Sequence, residues 1–425
     1  MQRQVVVSAC FGTFLEWYDF LTFASLAIYF GQLFYPAEDP VAGLLASLAT
    51  FGVGMLVRPL GAAFFGSLGD RIGRRKTFLA TIILMGLATV AVGLLPTYAQ
   101  IGIWAPVLLV ALRMAQGMAV GGEIGGAAVY LTEHAPTEQR GLYTSVLQLM
   151  GPLGIMASSI QVIALQSWLT PDEFQAWGWR VPFLLSALLL AISLKSRLNL
   201  HESPVFQALR DEQALSATPL SDCWRDQRTR SRMLLLFSCV SAGGSLLFFS
   251  SQVYTSVFLK TVVGMPAAQV GTLLTIATLC LLPLTLLAGH LSDRVGRRPV
   301  LLTGLLLGAI ALLPVFHGLY LWSEQPVVMV ALLLVLVLAL ACITGPQTAT
   351  LAELFPARTR YSAVALPHNL AAGWIGGLSP LVVTWLSIRL ENPFAGLWYL
   401  VGLLTLTFLI GWRYLPETRG ANLHD

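Results

Sequence analysis

The chain has 425 residues, 56% hydrophobic and only 11% charged, with a formal net charge of +4. A water-soluble globular chain carries roughly 25% charged residues, so this one lacks the polar side chains to cover a soluble surface; its mean hydropathy is +0.74. A soluble enzyme, a disordered chain and a coiled coil are excluded, and a polytopic helical membrane protein fits.

Apolar stretches long enough to cross a bilayer as helices recur along the chain. They fall at 5–33, 41–66, 77–95, 101–130, 142–166 and 178–197, then at 232–259, 268–290, 299–318, 326–350, 361–388 and 394–415. We number them spans 1 to 12. The first is too long for the apolar core of a signal peptide and contains Glu16 and Asp19, so it reads as an uncleaved span. Residues 198–231 form the only long polar stretch, too short to bury a core. They read as a cytoplasmic linker with partly amphipathic helix between six-span halves at 1–197 and 232–425. Cys10, Cys223, Cys239, Cys280 and Cys342 contain no CxxC and read as small buried hydrophobes rather than a metal site or disulfide framework.

With both termini in the cytoplasm, the inside segments hold 20 of the 25 Lys and Arg, and the outside holds Arg180, Lys260 and Arg389. The remaining two, Arg58 and Arg113, lie within spans 2 and 4. Such a bias orients the chain across the bilayer.

The halves repeat. Gly66-Ser-Leu-Gly-Asp70-Arg71-Ile-Gly73-Arg74-Arg75 follows span 2, and Gly289-His-Leu-Ser-Asp293-Arg294-Val-Gly296-Arg297-Arg298 follows span 8. Glu133 and Arg140 after span 4 are matched by Glu353 and Arg360 after span 10, each pair with a proline between (Pro136, Pro356). A weaker pair is Glu202-Ser-Pro after span 6 and Pro416-Glu417-Thr after span 12. Repeats at nearly one offset predict twelve helices in two pseudo-symmetric halves with a site between them.

The two G-x-L-x-D-R-x-G-R-R loops resemble the signature of the major facilitator superfamily, and the resemblance covers essentially the whole chain. Glu16-Trp17-Tyr18-Asp19-Phe20, Arg58-Pro59-Leu60-Gly61, Arg113-Met-Ala-Gln116-Gly117-x-x-x-Gly121-Gly122-Glu123 and Trp177-Gly-Trp179-Arg180-Val-Pro182-Phe183 are similar to the metabolite:proton symporter family. That family includes transporters for citrate, α-ketoglutarate, shikimate and proline/betaine. Gly376-Gly377-Leu378-Ser379-Pro380 resembles its citrate branch. The resemblance implies the all-α major facilitator fold, proton-coupled transport by alternating access, and a place in a bacterial cytoplasmic (inner) membrane. It also implies protons as the coupling ion, with no other cofactor. A six-plus-six bundle is self-sufficient, so a monomer is expected.

In that superfamily the basic loops act as latches. Asp70, Arg71, Arg74, Glu133 and Arg140, with Asp293, Arg294, Arg297, Glu353 and Arg360, are the expected cytoplasmic gate. Glu133 and Glu353 are placed to pair with arginines of neighbouring helices across the half interface.

Charges at membrane depth are costly and mark function. Five are predicted there: Glu16, Asp19, Arg58, Arg113 and Glu123. From a rise of about 1.5 Å per residue, Asp19 is level with Arg113, and Glu16 and Glu123 lie near Arg58. Three carboxylates against two guanidiniums leave one in excess, able to carry a proton. Asp19, Glu16 and Glu123 are therefore the candidate proton-coupling residues. Arg113 and Arg58 are the candidate receivers of a substrate carboxylate through their planar forks. Tyr18, Gln148, Gln252 and His368 are candidate cavity-lining groups; Trp17 and the other aromatics read as packing or interfacial residues.

Two membrane arginines point to import of a small organic anion, a di- or tricarboxylate such as citrate or α-ketoglutarate. The alternatives are symport of a proline/betaine-type zwitterion, or proton-driven efflux of an acidic metabolite or drug. No GxxxxGK[ST] loop is present, so ATP hydrolysis is not expected to drive transport. Neither enzyme activity nor nucleic-acid binding is indicated.

Overall fold

A computed structural model describes residues 2–35, 40–198 and 201–423; the side chains of Arg3 and Phe20 lie outside the described part. Among the described residues the regular structure is entirely helical, as a chain that must satisfy its own backbone in lipid requires. Span 1 is Gln2–Ser25, continued after a break at Leu26 by Ala27–Phe34. Spans 2 to 6 are Pro40–Ile72, Arg74–Leu94, Trp104–His134, Arg140–Trp168 and Arg180–Leu198. Spans 7 to 12 are Gln227–Thr261, Ala267–Val295, Arg297–Leu321, Pro326–Glu353, Arg360–Arg389 and Leu397–Tyr414. Spans 2 to 12 are each long and apolar enough to cross a membrane. Leu60, Ile163, Leu287, Ile310, Leu381 and Trp385 stand exposed on the outer surface, a face suited to lipid rather than water.

Span 7 begins at Gln227, earlier than the expected 232. Asp226 ends the linker by accepting the Arg228 and Thr229 N–H groups at 3.4 and 2.9 Å, an N-cap the hydropathy pattern does not register. Within the linker, Pro204–Asp211 is a short amphipathic helix capped by Ser203, with Val205, Phe206 and Leu209 buried. Spans 7 and 11 widen into π-helical turns at Leu236–Ser241, Phe249–Tyr254 and Ala371–Gly376. Such turns cluster at functional sites.

Spans 2 and 4 cross with their backbones in contact, because the residues between them are glycines. A Cβ on Gly117 would strike the Gly54 carbonyl, one on Gly121 the Arg58 carbonyl, and one on Gly61 the Met118 backbone. This is small-residue helix packing in lipid. Gly117→Val is expected to prevent recovery of monodisperse protein in detergent, whereas Gly402→Ala, which meets open space, leaves yield and thermal stability unchanged. Size-exclusion profiles of the two variants check this.

Across the halves, span 2 packs on span 11, and at the matching place in the repeat span 8 packs on span 5.

Candidate functional site

The end of the bundle carrying the two Asp-Arg loops is called here the basic face. Gly73 and Gly296, the glycines of those loops, have φ of +116° and +109°, a region that L side chains avoid. Each precedes a helix, span 3 or span 9. Glu202 accepts the Arg74 and Arg75 N–H groups at 3.0 and 3.1 Å. Glu417 accepts those of Arg297 and Arg298 at 2.8 and 3.1 Å. A carboxylate seated on a helix N-terminus is favoured by the exposed N–H groups and the dipole, and a Cβ on either glycine would collide with it. The weak third repeat is thus a pair of helix caps.

The aspartates of the same loops reach across the halves. Asp70 accepts the N–H groups of Tyr361 and Ser362 at 3.2 and 2.9 Å, and the Ser362 hydroxyl at 2.8 Å. Asp293 accepts the N–H groups of Gly141 and Leu142, both at 2.8 Å. Each aspartate therefore caps a helix of the opposite half, span 11 or span 5. Beside them Arg360 donates to Glu133 at 2.8 Å, and Arg140 lies 3.8 Å from Glu353. Arg74 bridges Asp70 (3.2 Å) and Glu133 (3.8 Å), as Arg297 bridges Asp293 (2.7 Å) and Glu353 (3.3 Å). Ser203 donates to Glu133, and Thr418 to Glu353 at 2.8 Å. All these acids, with Arg74, Arg140, Arg297 and Arg360, are buried, so the cluster closes the basic face. Arg71 and Arg294, expected in the gate, are instead exposed and outside the cluster. Each follows its aspartate directly, and a one-residue step on a helix turns the side chain away from the neighbouring half.

Above this closure a cavity lies between the halves. Its wall includes Arg58, Gln148 and His368. Arg58 Nε donates to Asn369 Oδ1 at 3.1 Å, and Asn369 donates to the Gly121 carbonyl at 2.9 Å. Gln148 donates to Thr348 at 2.9 Å, and His368 Nδ1 is 3.0 Å from the Ser241 hydroxyl. Trp17, Phe248 and Phe249 also face the cavity, with ring centroids 5.7 Å and 5.5 Å apart in sequence. Trp17 is therefore a wall residue rather than packing, and Gly151 leaves room for its ring. No Asp, Glu or Lys is among the lining residues, and Arg58 is their one guanidinium.

Arg113, Tyr18 and Gln252 do not line this cavity. Arg113 lies inside the N-terminal half, over the rings of Phe23 and Phe51 at 4.3 and 5.4 Å, and donates to Gln116 at 2.7 Å. Gln116 donates to Thr89 at 2.7 Å, and Ser186 donates to Asp19. Asp19 and Arg113 act on one another electrostatically inside this half. The Tyr18 hydroxyl donates to Gln161 and, at 3.3 Å, to the Pro182 carbonyl, and Gln252 accepts from Thr278 at 2.9 Å. Both are taken up by neighbouring helices, the common fate of polar groups in bundles.

Glu123 does not pair with Arg58. It is bound by Arg197 and by the Thr81 hydroxyl at 2.7 Å. Arg197, counted above with the inside loop charges, is fully buried and lies 3.4 Å over the Phe78 ring. It occupies the last turn of span 6, where a long side chain can reach back into the bundle. The buried set is therefore three carboxylates and three guanidiniums, and the expected excess of one carboxylate does not hold. Arg58 and Glu16 are left to act on one another.

A twelve-helix bundle with a sealed basic face, a central cavity and buried charges in one half is the architecture of a membrane transporter. The chain matches the "Sugar (and other) transporter" family over residues 5–230 and again over 212–425, and it belongs to that family, within the major facilitator superfamily. It is 37% identical over 429 residues to the inner membrane metabolite transport protein YhjE of Escherichia coli (strain K12), covering 99% of this chain and 96% of that protein. It is 35% identical to the glycine betaine/proline/ectoine/pipecolic acid transporter OusA of Dickeya dadantii (strain 3937), covering 98% and 83%. It is 33% identical to the proline/betaine transporter of Salmonella typhimurium, covering 96% and 82%. Among solved structures, a double Trp mutant of XylE superposes with a TM-score of 0.81, and the proton:xylose symporter XylE bound to 6-bromo-6-deoxy-D-glucose with 0.78. Both are 20% identical and cover 100% of this chain and 98% of theirs, a likeness of fold.

Proposed function

We propose that this transporter carries a small zwitterion of the proline and betaine type together with a proton. The cavity wall carries the reading. Its single guanidinium, Arg58, suits one carboxylate, and the facing rings of Trp17, Phe248 and Phe249 suit a quaternary or ring ammonium. A di- or tricarboxylate would bring further negative charge into a wall that offers no second full cation, and an unpaired buried charge is costly. Two relatives are named as proline/betaine-type transporters, which supports the same substrate class.

Coupling follows from competition. The substrate carboxylate and Glu16 share Arg58, so loading the substrate favours a protonated Glu16. The fully loaded carrier is then neutral at this point and able to change access; substrate and proton leave together.

The test is uptake into liposomes of purified protein, with and without a proton gradient directed to the expected outside-to-inside sense. Betaine or proline is expected to accumulate, and citrate and α-ketoglutarate to stay out. Arg58→Ala abolishes uptake. Trp17→Leu raises the KM for betaine by about 2- to 30-fold, the range of a desolvated cation–π contact, with little change in maximal rate. Gradient-driven accumulation of citrate without betaine overturns the proposal.

A further inference from the structure

Resting on that reading, we infer that substrate and proton leave by separate routes: the proton crosses the interior of the N-terminal half through Glu16 and Glu123, with Arg197 as the valve.

A second, narrow pocket lies inside this half, between spans 1, 3 and 4, and shares no wall residue with the central cavity. Its wall is apolar apart from Thr81 and two carboxyl groups, Glu16 of span 1 and Glu123 of span 4. Glu16 lies one turn closer to the basic face than Asp19, on the same side of span 1. Its Oε2 is buried and accepts no hydrogen bond among the described residues, an oxygen open to a proton. The charges around it are Asp19 on its own span, Arg58 on span 2, Glu123 on span 4 and Arg197 on span 6; spans 3 and 5 bring none to this depth.

Glu123 accepts hydrogen bonds from Arg197 and Thr81. Arg197 reaches it only because position 12 is glycine; a Cβ there would overlap both the guanidinium and Glu123. The same Arg197 donates to the Phe78 carbonyl of span 3 at 2.7 Å. Span 6 then runs to Glu202, the cap of span 3, and to Ser203, which donates to Glu133 of the latch. Opening the latch releases Glu133 from Arg360 and so alters the acid that holds Ser203, six residues beyond Arg197.

The transfers balance as one proton. It leaves the Asp19 carboxyl, which becomes a carboxylate beside Arg113 until a proton from the opposite face reloads it, and neutralises Glu16. It next passes to Glu123 and frees Arg197, and is finally lost to water on the opened basic face. Glu123 is thereby returned to Arg197, and the valve closes.

The test uses the full-length protein in liposomes loaded with a pH-sensitive dye, with betaine and proline as solutes. Counterflow exchange, which needs no net proton movement, is measured beside solute-driven proton flux. Glu123→Gln is expected to lose proton flux and uphill accumulation and to keep counterflow, while Glu123→Asp regains both. Unchanged proton flux in Glu123→Gln overturns the route. A purely structural pair would be repaired by the neutral double variant Glu123→Gln/Arg197→Gln, so restored proton flux in the double variant overturns it too. Loss of counterflow that Arg197→Gln does not repair marks Glu123 as structural, with the same consequence. Wild-type protein that moves neither solute refutes the zwitterion reading, and this inference falls with it; wild-type transport with an intact Glu123→Gln flux refutes the route alone.

Discussion

Asp19→Asn is expected to abolish gradient-driven accumulation while solute exchange continues. Asp19 is fully buried, accepts from Ser186, and acts on Arg113, which Gln116 ties to Thr89. An asparagine keeps the volume and can still accept from Ser186, so the packing of spans 1, 3, 4 and 6 survives. What it lacks is a site for a proton. Loss of a proton-transferring side chain costs about 10²- to 10⁴-fold in other systems, and coupled uptake is expected to fall by that order. Time courses with and without a proton gradient, set against counterflow, separate the two activities. Undiminished accumulation in Asp19→Asn would remove Asp19 from the coupling path.

The second large effect concerns the closed basic face. In Asp70→Asn the amide nitrogen is turned toward donors, the Tyr361 and Ser362 N–H groups or the Ser362 hydroxyl. A hydrogen bond to a charged group contributes about 1.5–3 kcal/mol, so the closed state loses roughly 10- to 150-fold in population relative to the open one. A cysteine placed at Ala128, which is buried and lines the central cavity, reports this. Its labelling by a membrane-impermeant maleimide from the basic face is expected to accelerate in Asp70→Asn and equally in Asp293→Asn. Equal labelling of variant and parent would show that the caps do not hold the face shut.

Much of the fold was legible in the sequence because the bilayer imposes length and hydropathy on each span. The repeat marks the latch acids, since Asp70 and Asp293 stand in motifs whose glycines and arginines recur in order. The site was less legible. Depth along a helix can be reckoned from the rise per residue, but the direction around the helix cannot, without knowing its neighbours. So depth alone points Arg113 and Tyr18 at a substrate cavity, whereas they face the inside of one half. Arg197 was counted as a loop charge because its Cα lies at the end of a span, although its side chain folds back to Glu123. That omission produced the apparent excess of carboxylate. Trp17, Phe248 and Phe249 belong to different halves, and nothing in their spacing along the chain says that they share a cavity. The two membrane arginines were read together as an anion site; with only Arg58 on the wall, the balance moves to a zwitterion.

The exchanged caps on the basic face have one more implication. Asp70 of the first half holds residues 361 and 362 of the second, and Asp293 of the second holds residues 141 and 142 of the first. That reciprocity, in which a patch meets its own copy turned around, is the mark of an isologous contact between identical subunits. The interface between the halves thus keeps the grammar of a two-fold homodimer, although a single chain now writes both sides of it. The departures from that grammar are where the copies have specialised: Tyr361 sends its hydroxyl to the Gly122 carbonyl at 2.8 Å, while its counterpart, Gly141, lets two backbones touch at Gly289. One seam is keyed by a side chain and the other is flush, so the two sides of the joint are built to part differently.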